Sequence, residues 1–194
     1  GTSVITMIFW SFGFLRMGTV GLVAQALGSK NYNDIALTVC RNMIAVILIS
    51  IFIILLKAPI LFLIQSSFNT SFATQSLIKE YVSVRLYSAP AELSIYVLVG
   101  LYLGLQKTKI SSLLITFFCL SNIILSMIFV IYLDLEIFGV ALGTLISAYL
   151  TVGISILGSF YYFKKNFNIQ ISFKKIINRK KIFDLFKINF DIFI

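Results

Sequence analysis

Residues 110–133 read ISSLLITFFCLSNIILSMIFVIYL, and residues 137–163 read IFGVALGTLISAYLTVGISILGSFYYF; neither stretch contains a charged side chain. A helix needs about 20 apolar residues to cross the hydrocarbon core of a bilayer, so each is long enough alone. Only Asp134, Leu135 and Glu136 stand between them, which predicts two membrane-crossing helices joined by a short turn. Backbone groups find no water in lipid, so a span must be a helix or part of a closed barrel, and the residue pattern does not suit barrel strands. The expected fold class is therefore all-α, a polytopic transmembrane helical bundle.

The pattern extends outward from this pair. Residues 3–27 form another apolar run, broken only by Arg16; residues 35–56 form the next, with Arg41 near its start; residues 81–105 form a third, carrying Arg85 and Glu92. Five spans are expected. Gly28 suits the residue that ends the first helix, Asp34 the cap of the second, and Pro59 the close of the second. Residues 65–76 are uncharged and rich in Ser, Thr, Asn and Gln. The Asn69-Thr70-Ser71 tripeptide there fits a glycosylation acceptor, read as a chance match in so polar a loop.

Composition agrees. Of 194 residues, 59% are hydrophobic, 12% are charged and none is histidine, and the mean hydropathy is +1.01. Soluble domains carry about 25% charged residues, so a soluble domain, a disordered chain and a disulfide-rich secreted module are excluded. Cys40 and Cys119 lie in apolar stretches without CxxC spacing; they read as small buried hydrophobes, not as a disulfide or a metal pair. No HExxH, GxSxG, paired-Asp motif or phosphate-cradling glycine loop is present, and the commonest general base is missing with histidine. Neither an enzyme nor a cofactor or metal site is expected.

Charge sets the expected orientation. The chain carries 16 basic and 7 acidic residues, a net +9, and eight of the basic ones fall from Lys164 onward. Lys30 with Arg41, then Lys107 and Lys109, then this tail would share one side; Lys57, Lys79 and Glu80, then Asp134 and Glu136, would share the other. The positive-inside rule places the first side in the cytoplasm, with residue 1 outside. The expectation is a multi-pass cell-membrane protein, in a bacterium the inner membrane, whose basic segment 164–187 lies near anionic lipid and not on nucleic acid. No basic leader precedes the first span, and residues 188–194 look like the start of another, so the chain reads as a fragment of a longer protein.

Polar residues inside the spans are the site candidates. In 81–105, eleven Leu, Ile and Val favour insertion by roughly 5 kcal/mol in total, and each central charge would oppose it by about 2.5–3.5 kcal/mol. That near balance predicts a helix facing a bundle or a cavity. Arg85 and Glu92 lie seven apart on one face with Pro90 between them to bend the helix. Glu92 is a candidate proton- or cation-binding carboxylate, or else an acid at a bend that meets water or an arginine. Arg16 and Arg85 read as helix-end anchors or ion-pair partners. In 137–163, Gly139, Gly143, Ser147, Thr151, Ser155 and Ser159 recur every four residues, a small-residue face suited to close helix packing; Thr144 stands beside it. Asn122 and Ser126 share a face of the preceding span.

These residues carry a resemblance. Phe14-Leu15-Arg16-Met17-Gly18-Thr19 with Gly21 and Ala24-Gln25-Ala26-Leu27-Gly28 is similar to the end of the second helix of multidrug and toxic compound extrusion (MATE) transporters, in their DinF-like branch. Tyr81 to Arg85 and Pro90-Ala91, Gly100 to Lys107, Asn122 to Leu125, Gly139 to Thr144, and Ile188 to Ile194 follow in the family's order. The resemblance implies a twelve-helix, two-lobe fold of which residues 1–163 would be helices two to six of the N-terminal lobe. Residues 164–187 would be the cytoplasmic inter-lobe linker, and 188–194 the start of the seventh helix. It implies export of amphipathic, often cationic organic compounds by alternating access, with protons or sodium as the coupling ion and the C-terminal lobe as partner. In proton-coupled relatives an aspartate on the first helix works with an Asn on helix five, an Asp four residues later and a Thr eighteen beyond that. Asn122 and Thr144 match the outer two positions; Ser126 stands at the middle one and cannot carry charge. Alternatives are a lipid-linked precursor flippase of the same wider superfamily, which favours a more cationic cavity, or a truncated product without transport. A membrane-embedded transferase would need an acidic metal cluster that is not in the sequence.

Overall fold

The computed structural model describes residues 2–67 and 72–166, and among these the chain is helical with no strand. The helices are α1 (Thr2–Trp10), α2 (Phe14–Gly28), α3 (Tyr32–Leu55), α4 (Lys57–Ser67), α5 (Phe72–Leu86), α6 (Ala89–Gly104), α7 (Thr108–Met127) and α8 (Glu136–Asn166). Four apolar spans are long enough to cross a membrane (Ile5–Gly28, Tyr32–Leu55, Thr108–Tyr132, Glu136–Asn166), and the bent pair Thr74–Leu86 with Ala89–Gly104 makes a fifth. The protein is a polytopic helical membrane protein. The tripeptide Asn69-Thr70-Ser71 and residues 167–194, with most of the expected linker and the expected next helix, lie outside the described residues.

Helix α6 is the hub. Eleven of its 16 residues are buried, and it packs against α2, α3, α7 and α8. Apolar side chains gain little by leaving lipid for protein, so membrane helices associate through close packing of small residues. Gly100 and Gly104 do this against α2: a Cβ on Gly100 would stand 2.8 Å from the Arg16 carbonyl oxygen, and one on Gly104 would stand 2.7 Å from Val23 Cβ. Both pairs ascend together in sequence, so α2 and α6 run parallel, as the first and third of five alternating spans must. In α7 only Ser111 and Leu114 are buried, leaving a mostly apolar surface of the kind that faces lipid.

Two spans are broken. Pro90 lies in the first turn of α6, where its missing N–H is harmless, but its ring cannot follow an unbroken helix past Leu86. The chain bends by 47° between α5 and α6. The expected 81–105 helix is thus two helices, the first of which begins at Phe72. The first span breaks without proline: Phe12 N–H donates to the Phe9 carbonyl at 3.0 Å and Gly13 N–H to that of Trp10 at 2.9 Å. These bonds span three residues and tighten the turn. A Cβ on Gly13 would meet the Trp10 oxygen at 3.1 Å.

Helix ends differ from expectation in four places. The left-handed residue after α2 is Lys30 (φ 56°), not Gly28. Its N–H bonds to Leu27 O and that of Asn31 to Ala26 O, the paired bonds of a Schellman end. Asn31, not Asp34, caps α3, its side chain accepting from the Asp34 N–H; Asp34 instead pairs with Arg41 at 3.7 Å. Pro59 does not close the second helix: α3 stops at Leu55, and Pro59 sits in the first turn of α4, a helix not expected from the sequence. Lys164 and Lys165 belong to the last turn of α8, not to a linker, where cations suit the helix C-terminus.

Candidate functional site

Three of the six candidate residues meet between α7 and α8. The Asn122 carboxamide oxygen accepts from Ser126 Oγ at 3.0 Å and from Thr144 Oγ1 at 3.2 Å. Thr144 Oγ1 also lies 3.1 Å from the Val140 carbonyl, the ordinary intrahelical partner of a helical threonine. Asn122 and Ser126 are half-buried and Thr144 is buried. The meeting depends on Gly143, where a Cβ would stand 2.7 Å from the Ser126 backbone nitrogen. Without a side chain there, α8 lies close enough for Thr144 to reach across. The small-residue face of α8 is buried throughout, from Gly139 to Ser159, and Ser159 Oγ hydrogen-bonds the Tyr102 hydroxyl at 3.0 Å. The cluster is neutral, built of oxygens and one amide. It lies fourteen residues along α7, about 21 Å from its start by the helical rise. Such a group can orient a polar or cationic solute by hydrogen bonds, and it cannot itself carry a proton's charge.

Glu92 is not part of that cluster. It and Arg85 form an ion pair across the α5–α6 break, and Ser88 lies between them. Ser88 Oγ is 2.9 Å from Arg85 Nη1 and 2.7 Å from the Glu92 carboxylate. Phe9 of α1 covers the guanidinium, its ring centroid 5.7 Å from the Arg85 Cζ. Arg85 is 7% exposed, so its charge needs this partner: an isolated ion within a span costs several kcal/mol. The Glu92 carboxylate is therefore spoken for, and the bend at Pro90 brings it to Arg85 across the break rather than along one straight face.

Arg16, the third residue of α2, is half-buried and has no acidic partner among the described residues. It lines a cavity of about 360 Å³ beside the α1–α2 break, together with Trp10, Ser11, Phe14 and Tyr96. No group of three or more metal-ligating side chains occurs among the described residues. Sequence reasoning missed Ser88, whose place three after Arg85 and four before Glu92 was the available signal. It also missed Asn42. That side chain is fully buried on α3 and donates from Nδ2 to Thr19 Oγ1 on α2 at 2.8 Å. An amide inside an apolar span was the signal there.

The MatE family model matches residues 1–128. Over 157 residues the chain is 33% identical to the DNA damage-inducible protein F of Escherichia coli (strain K12), covering 81% of this chain and 34% of that protein. Among solved structures, an outward-facing multidrug resistance MATE family transporter of the MOP superfamily superposes with a TM-score of 0.79 at 20% identity, over 95% of this chain and 40% of its own. A MOP superfamily transporter from Pyrococcus furiosus Vc1 (DSM3638) superposes with a TM-score of 0.81 at 19% identity, over 97% and 41%. At these identities the likeness is one of fold. The chain spans about a third of the curated relative's length.

Proposed function

Because this chain belongs to the MatE family, a family of transporters and not of enzymes, we propose that it serves secondary active export of amphipathic, cationic organic compounds in exchange for protons or sodium. The observation that carries this reading is the uncharged oxygen cluster of Asn122, Ser126 and Thr144 between two membrane-crossing helices. Those oxygens accept hydrogen bonds and attract a cation without trapping it by a full charge. Polar side chains deep in a span otherwise cost insertion energy, and α7 has no insertion deficit that would require one. In this reading the helices rock as a lobe against a second lobe, which the greater length of the relatives supports, and ion binding shifts the preferred state. The basic loops and tail would face the cytoplasm, and residue 1 the outside of a bacterial inner membrane.

The test is transport of ethidium by the protein in proteoliposomes under an imposed proton or sodium gradient. Asn122→Ala and Thr144→Ala should each lower the rate about tenfold, corresponding to about 1.4 kcal/mol, while Ser159→Ala should leave it unchanged. Equal rates for all three variants would refute the assignment of the cluster.

A further inference from the structure

Arg16 is a cation within a membrane span with no carboxylate paired to it among the described residues. It stands twelve residues from Gly28, about 18 Å up the helix by the 1.5 Å rise, which is near the middle of a hydrocarbon core about 30 Å thick. The other two arginines of the described residues are each paired, Arg41 with Asp34 and Arg85 with Glu92. An ionisable group at such depth marks a solute path or a binding site by default, because lipid alone cannot solvate it.

The walls around it are specific. Trp10 and Phe14 on either side of the α1–α2 break, with Tyr96 from α6, supply three aromatic side chains to its lining, and Ser11 adds a hydroxyl. The volume, about 360 Å³, falls within the range that holds small organic ligands. Tyr96, one turn beyond Glu92, stands within electrostatic reach of both Glu92 and Arg16. Glu92 is paired with Arg85 and does not line the cavity, whose one charged lining side chain among the described residues is Arg16.

We propose that the Arg16 cavity binds the oxyanion of an aromatic or amphipathic organic anion, a carboxylate or a phosphate ester, with the ring held among Trp10, Phe14 and Tyr96. The guanidinium presents two parallel N–H donors that match two oxygens of a carboxylate or phosphate. A cation meets the same charge with repulsion and is excluded. The site lies on α1, α2 and α6, apart from the oxygen cluster on α7 and α8, and its existence does not depend on the transport reading. The oxyanion could belong to a solute or to the headgroup of an anionic lipid, and the depth of Arg16 favours the solute.

Trp10 is the only tryptophan of the chain and it lines the cavity, so it reports binding directly, without any transport step. The protein in nonionic detergent is titrated with 4-nitrobenzoate, 4-nitrobenzyl alcohol and 4-nitrobenzyltrimethylammonium, three quenchers with one ring and different charge. A Trp10→Phe variant supplies the tyrosine background, and Arg16→Gln separates this cavity from the neighbouring one that Trp10 also lines. The benzoate should quench saturably and bind at least about tenfold more tightly than the ammonium. Arg16→Gln should abolish that preference and Arg16→Lys should keep most of it. Repeating the titration in nanodiscs of phosphatidylglycerol and of phosphatidylcholine separates the two sources. Competition by phosphatidylglycerol assigns the site to a lipid phosphate, and its absence assigns it to a solute. Equal quenching by all three probes in the unmodified protein, or a benzoate preference that survives Arg16→Gln, overturns the proposal. The first of these criteria needs no variant to fold.

Discussion

The backbone nitrogen of Ser126 lies 2.7 Å from the point where a Cβ on Gly143 would stand, closer than such atoms approach. The two helices touch backbone to backbone there, and that contact sets the reach of Thr144 to Asn122. Gly143→Ala should push α8 away from α7 and lower stability by about 1–3 kcal/mol, the usual cost of an overpacked interface. Gly153, on the same helix, has open space where its Cβ would be. Gly153→Ala should be neutral or slightly stabilising, since alanine is the better helix former. Thermal unfolding of both variants in detergent checks the pair; equal loss from both would mean that the close approach is not what matters.

Arg85 and Glu92 should behave as a unit. Glu92→Gln leaves a buried guanidinium uncompensated and should cost about 3–5 kcal/mol, as should Arg85→Gln with the charges reversed. The double variant removes both charges and keeps hydrogen-bonding groups beside Ser88, so it should be more stable than either single variant. A double-mutant cycle measures this coupling. Additive losses would show that the pair contributes nothing to holding the α5–α6 break.

Thr19 and Asn42 join α2 to α3 by one buried hydrogen bond of 2.8 Å. Thr19 Oγ1 itself donates to the Leu15 carbonyl at 2.6 Å, so the hydroxyl serves both roles. Thr19→Val has nearly the same shape but strands the Asn42 amide in a dry interior, where Asn42 Oδ1 already has no partner. The loss should be about 1–3 kcal/mol, and Thr19→Ser should recover most of it. Chemical denaturation in mixed micelles would show the order Thr, Ser, Val; a valine variant as stable as the parent would contradict it.

What could be read from residues alone follows from the range of the forces involved. Apolar length and the positions of charges are properties of a single helix, so the spans beginning near residues 110 and 137 were legible within a few residues. Asn122, Ser126 and Thr144 could be nominated from helical spacing together with the family resemblance, because an i, i+4 pair shares a face whatever surrounds it. The partner of Glu92 needed the exact position of the break. Pro90 announced a bend, yet only the fold shows that the chain parts at Tyr87 and Ser88 and turns the carboxylate onto Arg85. The α1–α2 break carries no proline, and Gly13 alone does not announce it, so the cavity beside Arg16 was not legible. Helix α4 was missed because Lys57 and Pro59 resemble a stop, although a proline in a first turn is equally a start.

Lys30 and Gln106 hold φ values of 56° and 59°, at matching places after α2 and α6. Each donates its own N–H to the carbonyl three residues back, and the next residue bonds back five, to Ala26 and Tyr102 respectively. A residue with a Cβ in this left-handed conformation costs about 1–2 kcal/mol relative to glycine, offset in part by the extra freedom glycine has in the unfolded chain. Lys30→Gly and Gln106→Gly should therefore each raise stability by about 0.5–1 kcal/mol. The backbone bonds remain in both, and the two sites share no hydrogen bond, so the double variant should show the sum. Lys30 is also one of the charges that the positive-inside rule counts, whereas Gln106 is neutral. The unfolding temperature should thus rise for both, while cysteine accessibility from the two faces of the membrane should stay unchanged for Gln106→Gly. A drop in stability for Gln106→Gly would mean that the side chain, not the backbone, holds that turn.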